Sequence, residues 1–140
     1  NAMKQRVPVS EIMATDVVTL HQKNSLYDAE RLFRTHTIRH LPVVDGKTLV
    51  GVLSFSDLLK ISYADVTEGD EDLESVVYDT HTILQVMAKV PTTVSPDTTI
   101  KEVVEVLSKH SFHSLPVTEN GQLKGIVTTT DLLKYFLEQY

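Results

Sequence analysis

The sequence predicts a mixed α+β fold built from two copies of one β-α-β-β-α unit. Three observations carry this. The chain matches itself without a gap when slid by 74 residues. Hydrophobic spacing changes in the same order in both matching stretches. Each stretch places a turn dipeptide, Asp45-Gly46 or Asn120-Gly121, between two apolar runs, the strongest short-range signal of a β-hairpin.

In the self-match, Met13-Ala14 falls on Met87-Ala88, His36 on His110 and Leu41-Pro42-Val43 on Leu115-Pro116-Val117. Asp57-Leu58-Leu59-Lys60 falls on Asp131-Leu132-Leu133-Lys134, and 13 of the 48 pairs from residue 13 to 60 are identical. A repeat of this kind means that one unit alone cannot bury its apolar face.

Each copy opens with a short apolar turn (Val9-Ile12-Met13; Ile83-Val86-Met87), then a short extended piece (Val17 to Leu20; Thr92 to Val94). Apolar residues at helical spacing follow: Leu26, Ala29, Leu32 and Phe33 in one copy, Ile100, Val103, Val104 and Leu107 in the other. Ser25 with Asp28, and Thr99 with Glu102, are capping signals at the helix starts, the second a standard capping box. Two strands come next, Leu41 to Val44 and Leu49 to Leu53, then Leu115 to Thr118 and Leu123 to Val127. Pro42 and Pro116 sit near strand starts, where a missing N–H is tolerated. Last helices open at Ser54 to Asp57 and Thr128 to Asp131. The expected domains are 1–63, a first repeat with its N-terminal segment; 64–82, an acidic linker; and 83–140, a second repeat.

The chain has 140 residues, 41% hydrophobic and 23% charged, a composition that can bury a core. Asn1 and Ala2 precede Met3 and are set aside as a cloning remnant. No apolar run approaches a membrane span or a signal peptide, and with no Cys there is no disulfide or thiol chemistry. A cytoplasmic protein is expected. The net charge of −6 comes from the middle: residues 64–82 hold 7 acidic and no basic side chains. That stretch reads as a solvated linker, partly helical at Leu73-Val76-Val77; it lacks the ligand alternation and Gly-then-Glu spacing of a calcium loop. No cluster of Lys and Arg marks a nucleic-acid surface.

The segments His40 to Asp45 and Leu49 to Leu59, echoed by Ser114 to Val117 and Gly125 to Leu133, resemble the CBS domain. The resemblance runs from about Val9 to the C-terminus apart from the linker, and is to a stand-alone CBS pair, the Bateman module. It implies two β-α-β-β-α units packed through their sheets with pseudo-two-fold symmetry, two clefts between them, and a homodimer. It also implies a module that senses adenosine-containing ligands (AMP, ADP, ATP or S-adenosylmethionine) and regulates an unknown protein partner rather than catalysing. No cofactor is required, and neither nucleic acid nor membrane is a partner.

Asp57 and Asp131 match the family's ribose-binding acid. An ionised carboxylate only accepts hydrogen bonds, so it can take both ribose hydroxyls. Ser54 and Thr128, three residues earlier, offer hydroxyls and helix N-terminal N–H groups to a phosphate. The same residues also read as a cap with an acid in the first turn, which needs no ligand. The lead-ins to the first hairpin strands are Arg39-His40 and His113-Ser114. In the family the matching pair often carries basic residues that reach phosphates, and Arg39 can fork onto one. Ser114 departs from the basic type, which weakens phosphate binding there or shifts it toward a monophosphate or an uncharged nucleoside. Purine edges are expected near the backbone of Leu41-Pro42, Leu115-Pro116, Val18 and Thr92, although apolar residues at such places also simply fill a core.

His36 and His40, and His110 and His113, have spacings that could hold zinc on a helix. The predicted helices end near His36 and His110, so no metal site is assigned. No nucleophile elbow or Gly-rich phosphate loop is present, and no catalytic residue is assigned. The competing reading is a non-catalytic dimerisation or interaction scaffold with empty clefts, whose acidic linker meets a basic partner.

Overall fold

Residues 6–64, 78–89, 92–111 and 113–140 are described by the structure, a computed structural model. The chain forms two units: Val18–Pro91, here the first-repeat unit, and Thr92–Tyr140 together with the segment up to Val17, the second-repeat unit. Both mix helix and sheet, as the repeat pattern predicts.

In the first-repeat unit, β1 (Leu20–His21) runs parallel to β2 (His40–Asp45), which pairs antiparallel with β3 (Thr48–Ser54). The opposite edge of β3 takes β4 (Ala88–Lys89). Helices α1 (Leu26–Thr35), α2 (Phe55–Ala64) and α3 (Ile83–Val86) complete the unit. Its core gathers Leu26, Ala29 and Phe33 of α1, Leu41 and Val43 of β2, Leu53 of β3 and Leu58 of α2. This is the apolar face predicted for α1, with Leu32 packed at its margin.

The second-repeat unit repeats the plan. Val94 pairs parallel with β5 (Ser114–Glu119), β5 pairs antiparallel with β6 (Gln122–Thr128), and Ala14 pairs with Ile126 on the far edge of β6. Helices α4 (Ile100–Ser108) and α5 (Thr129–Leu137) follow α3 in chain order. The turn between β5 and β6 holds Asn120 at φ 52° and Gly121 at φ 78°, both left-handed, as the favoured two-residue hairpin turn demands.

The segment before residue 18 packs within the second-repeat unit. Val9 has 0% exposure in the second-repeat core, and its N–H donates to the Thr98 carbonyl at 2.7 Å. Ile83, its repeat equivalent, has 0% exposure in the first-repeat core. Each apolar turn is therefore buried by the other repeat's elements. Pro8 bridges Thr99 and Val7 accepts from Ile100. The Thr99 hydroxyl caps Glu102 N–H at 3.1 Å and donates to Glu102 Oε1 at 2.9 Å. The reciprocal half of the box expected there is absent, whereas Ser25 and Asp28 form both halves.

The acidic stretch 64–82 is described only at Ala64 and from Tyr78 onward; the helix expected at residues 73–77 lies outside the described residues. In its last part Asp79, Thr80 and Thr82 are exposed, and Tyr78 alone turns inward. Tyr78 is 4% exposed in the first-repeat core with its ring edge-on to Tyr27, centroids 5.0 Å apart. Thr82 forms a full capping box with Gln85 at the start of α3.

Candidate functional site

The residues singled out in each repeat converge at one end of that unit's sheet. His40 lies opposite Ser54 in the β2–β3 ladder, and Ser114 opposite Thr128 in the β5–β6 ladder. The helix following the hairpin therefore begins beside the residue that leads into it. Backbone bonds fasten the two: Phe55 N–H donates to the Arg39 carbonyl at 2.8 Å, and Thr129 N–H to the His113 carbonyl at 2.9 Å. Because β1 runs parallel to β2, with Leu20 opposite Val43, Val18 precedes β1 at this same end. Thr92 does so in the other unit, two residues before Val94, which lies opposite Val117.

The prolines decide what the backbone offers there. Val94 N–H donates to the Pro116 carbonyl and its own carbonyl accepts from Thr118. The next rung toward Thr92 needs a donor from residue 116, and proline has none. The parallel ladder stops, so Pro116 leaves the Thr92 carbonyl without that rung, and Pro42 does the same for Val18. These prolines are thus more than tolerated: each exposes the peptide edge of a neighbouring segment. The side chains of Leu41 and Leu115 are at 0% and 1% exposure, and both prolines are buried, so these residues can meet a ligand chiefly through the backbone. Val18 is half-buried against the core, and Thr92 is exposed.

The acids sit in two-way caps. Asp57 Oδ2 accepts from Ser54 N–H at 3.1 Å, and Ser54 Oγ accepts from Asp57 N–H at 3.0 Å. Asp131 Oδ2 accepts from Thr128 N–H at 2.9 Å, and Thr128 Oγ1 accepts from Asp131 N–H at 3.1 Å. The capping role read from the sequence is real, yet it occupies one carboxylate oxygen only. Oδ1 of each acid makes no hydrogen bond and no ion pair among the described residues. The cap fixes the carboxylate plane, and the second oxygen, with two acceptor lone pairs, stays available to a pair of hydroxyls. Ser54 Oγ also lies 3.0 Å from Ser56 Oγ.

Two neighbours escaped the sequence reading. The Arg39 guanidinium carbon stands 5.3 Å from the centre of the Phe55 ring. That ring meets Phe33 of the core edge-on at 5.6 Å, so an exposed cation rests on an anchored platform. In the other unit Thr129 holds Phe55's place, and its hydroxyl donates to the His113 carbonyl at 3.1 Å. An aromatic residue directly after a capping serine, where the first helical turn is ordinarily polar, was the available signal. Among the described residues no group of three His, Asp or Glu side chains is placed to hold a metal ion, and His36 serves as the C-cap of α1.

The sequence profile of the CBS domain matches residues 9–64 and 83–138. An uncharacterized 33.4 kDa protein of a ribosomal RNA operon in Thermofilum pendens is 35% identical over 133 residues, 94% of this chain and 44% of its own length. Inosine-5'-monophosphate dehydrogenase of Korarchaeum cryptofilum is 34% identical over 118 residues, 84% of this chain and 22% of the enzyme. The chain thus spans less than half of either relative. Among solved structures, the CBS-pair protein CBSX2 of Arabidopsis thaliana superposes with a TM-score of 0.81 at 27% identity, covering 95% of this chain and 96% of that one. CBSX2 has also been solved in complex with AMP (TM-score 0.79, 27% identity, 95% and 98% coverage). The CBS domain pair of protein MJ0100, solved with 5'-methylthioadenosine and S-adenosyl-L-methionine, has a TM-score of 0.75 at 25% identity, with 96% and 98% coverage. With its two matched repeats and this fold, the chain belongs to the CBS domain family and carries a tandem CBS pair.

Proposed function

We propose that this chain is a regulatory module that binds adenosine-containing ligands, one at the sheet end of each unit, and passes the resulting change of conformation to a partner. The carrying observation is the divided carboxylate: Asp57 and Asp131 each commit Oδ2 to a cap and hold Oδ1 unbonded. A ribose diol fits that acceptor. The peptide edges of Val18 and Thr92, released by Pro42 and Pro116, suit the donor and acceptor edge of a purine. The AMP complex of CBSX2 and the methylthioadenosine and S-adenosyl-L-methionine complex of MJ0100 support the ligand class. We read the module as regulatory rather than catalytic, a reading supported by the CBS-pair structures solved with AMP and with S-adenosyl-L-methionine.

The test is a thermal-shift titration with AMP, ADP, ATP, adenosine and S-adenosylmethionine. Ligand at 100 times its dissociation constant stabilises the fold by about 2.7 kcal/mol. No shift at millimolar concentrations of any of them overturns the proposal. Asp57→Asn with Asp131→Asn keeps a capping oxygen in each helix but replaces the outward acceptor by a donor, so the shift is expected to vanish.

A scaffold role is favoured by a different observation. On α5, Leu133 and Leu137 are 58% and 73% exposed, and Phe136 is 42% exposed. Residues at this spacing share one helix face, and such an apolar surface suits a homodimer contact. Sedimentation of Leu133→Glu as a monomer, beside a dimeric parent, is the expected result. No helix among the described residues is long and apolar enough to cross a membrane.

A further inference from the structure

We infer that the two units sort their ligands by charge: the first-repeat unit takes a phosphorylated adenosine, and the second-repeat unit takes an adenosine derivative that carries no phosphate. This deepens the adenosine reading and rests on it. The two sites are built to one plan, so their differences stand out. In the first, the Arg39 backbone is bonded to the start of α2 and its guanidinium lies over the Phe55 ring. Neither Arg39 nor Asp57 forms an ion pair among the described residues. An unpaired cation and an unpaired carboxylate oxygen, held by residues fastened to the same helix start, suit a ligand with a diol at one end and an anion at the other. A guanidinium binds phosphate through paired, charge-assisted hydrogen bonds.

The second site keeps the acid and loses the cation. His113 replaces Arg39, and Ser114 replaces His40. Thr129 replaces the ring with a hydroxyl that is spent on the His113 carbonyl. Lys60 and Lys134 hold matching places on α2 and α5, so they do not distinguish the sites. Lys109 closes α4 five residues before β5 begins. Asp131 is then the one permanent charge on the converging residues, and it repels a phosphate dianion. The same carboxylate accepts the hydroxyls of an uncharged nucleoside without that penalty.

The experiment is titration calorimetry on the full chain with AMP and adenosine. Asp131→Asn isolates the first site, and Asp57→Asn isolates the second. In Asp131→Asn, AMP is expected to bind at least about tenfold tighter than adenosine, the worth of a hydrogen bond to a charged group. Adding Arg39→Ala should erase that preference and leave adenosine affinity in place. In Asp57→Asn, adenosine should bind at least as tightly as AMP. The exchange of His113→Arg with Thr129→Phe should bring a preference for AMP to the second site, which tests the inference without touching either acid. Equal preference for AMP at both sites, or a preference that survives Arg39→Ala, overturns the sorting while the adenosine reading stands. Absence of binding by both probes to the parent chain overturns the sorting, and the adenosine reading falls with it when ADP, ATP and S-adenosylmethionine also fail to bind.

Discussion

Gly51 lies directly under Met87: a Cβ on Gly51 would stand 2.5 Å from the Met87 sulfur and 2.7 Å from the Ala88 carbonyl oxygen. Gly125 stands in the same relation to Met13 and Ala14, at 2.7 Å from the sulfur and 2.7 Å from the carbonyl. In both units the chain that pairs with the outer edge of the hairpin crosses a strand at a residue with no side chain. The carbonyl cannot swing aside as a flexible thioether can, because it belongs to the pairing itself. Gly51→Ala and Gly125→Ala are each expected to destabilise the protein by about 1–3 kcal/mol, the range for overpacking. A lower urea midpoint at unchanged slope checks this; an unchanged midpoint would mean that the edge segment shifts freely.

Stability and ligand binding should separate at the caps. Ser54→Ala and Thr128→Ala remove the oxygen that accepts from Asp57 and Asp131 N–H, at about 1 kcal/mol each. Asp57→Asn and Asp131→Asn keep an acceptor for the Ser54 or Thr128 N–H and should change the melting temperature little. The Asn variants should lose affinity for adenosine, which has no phosphate, while the fold stays as stable. Chemical denaturation beside calorimetry on the four single variants reads both quantities.

The burial of Val9 in the second-repeat core predicts where damage from Val9→Ala appears. About 2 kcal/mol should be lost through removed methyl groups and the space they leave. Hydrogen exchange should then quicken at the amides of β5 and β6 and stay unchanged at β2. Faster exchange in β2 instead would contradict the exchanged placement of the turn.

Asp28 ties stability to acid pH. The Ser25 backbone N–H, donating to Oδ2 at 2.9 Å, is the main reason its carboxyl lies below the usual 3.8; the Ser25 hydroxyl and Arg31 at 3.0 Å lower it further, against partial burial. With the lower value in the folded chain, the unfolded chain binds the proton more readily. The contribution is complete above the ordinary carboxylate value and disappears as pH falls through the lowered one. Asp28→Asn should flatten the loss of stability as pH falls from neutral to well below 3.8, measured by denaturant titration across that interval.

Much of each unit was legible because local chemistry and tertiary structure agree. The α1 face of Leu26, Ala29 and Phe33 is the buried one, and the Asn120-Gly121 turn adopts the left-handed geometry its residues favour. The exchange of Val9 and Ile83 was not legible for a physical reason. The repeats present equivalent partners, Met13 over Gly125 and Met87 over Gly51, so both arrangements bury the same kinds of groups. Periodicity reports that an apolar turn will be buried, not by which copy. At the site, the placement of Asp57 beside Ser54 followed from a spacing of three residues. The Arg39–Phe55 stack spans sixteen positions and depends on the hairpin between them, which one-dimensional spacing does not encode.

The traded opening turns bear on what a shortened chain can do. A fragment ending at Ala64 would hold Val9 without the core that shelters it, and would lack Ile83 and Met87 from its own. A fragment beginning at Ile83 would have the reverse shortage. Neither half is a self-sufficient fold, and mixing them restores each missing piece, so the halves should be obligate complements.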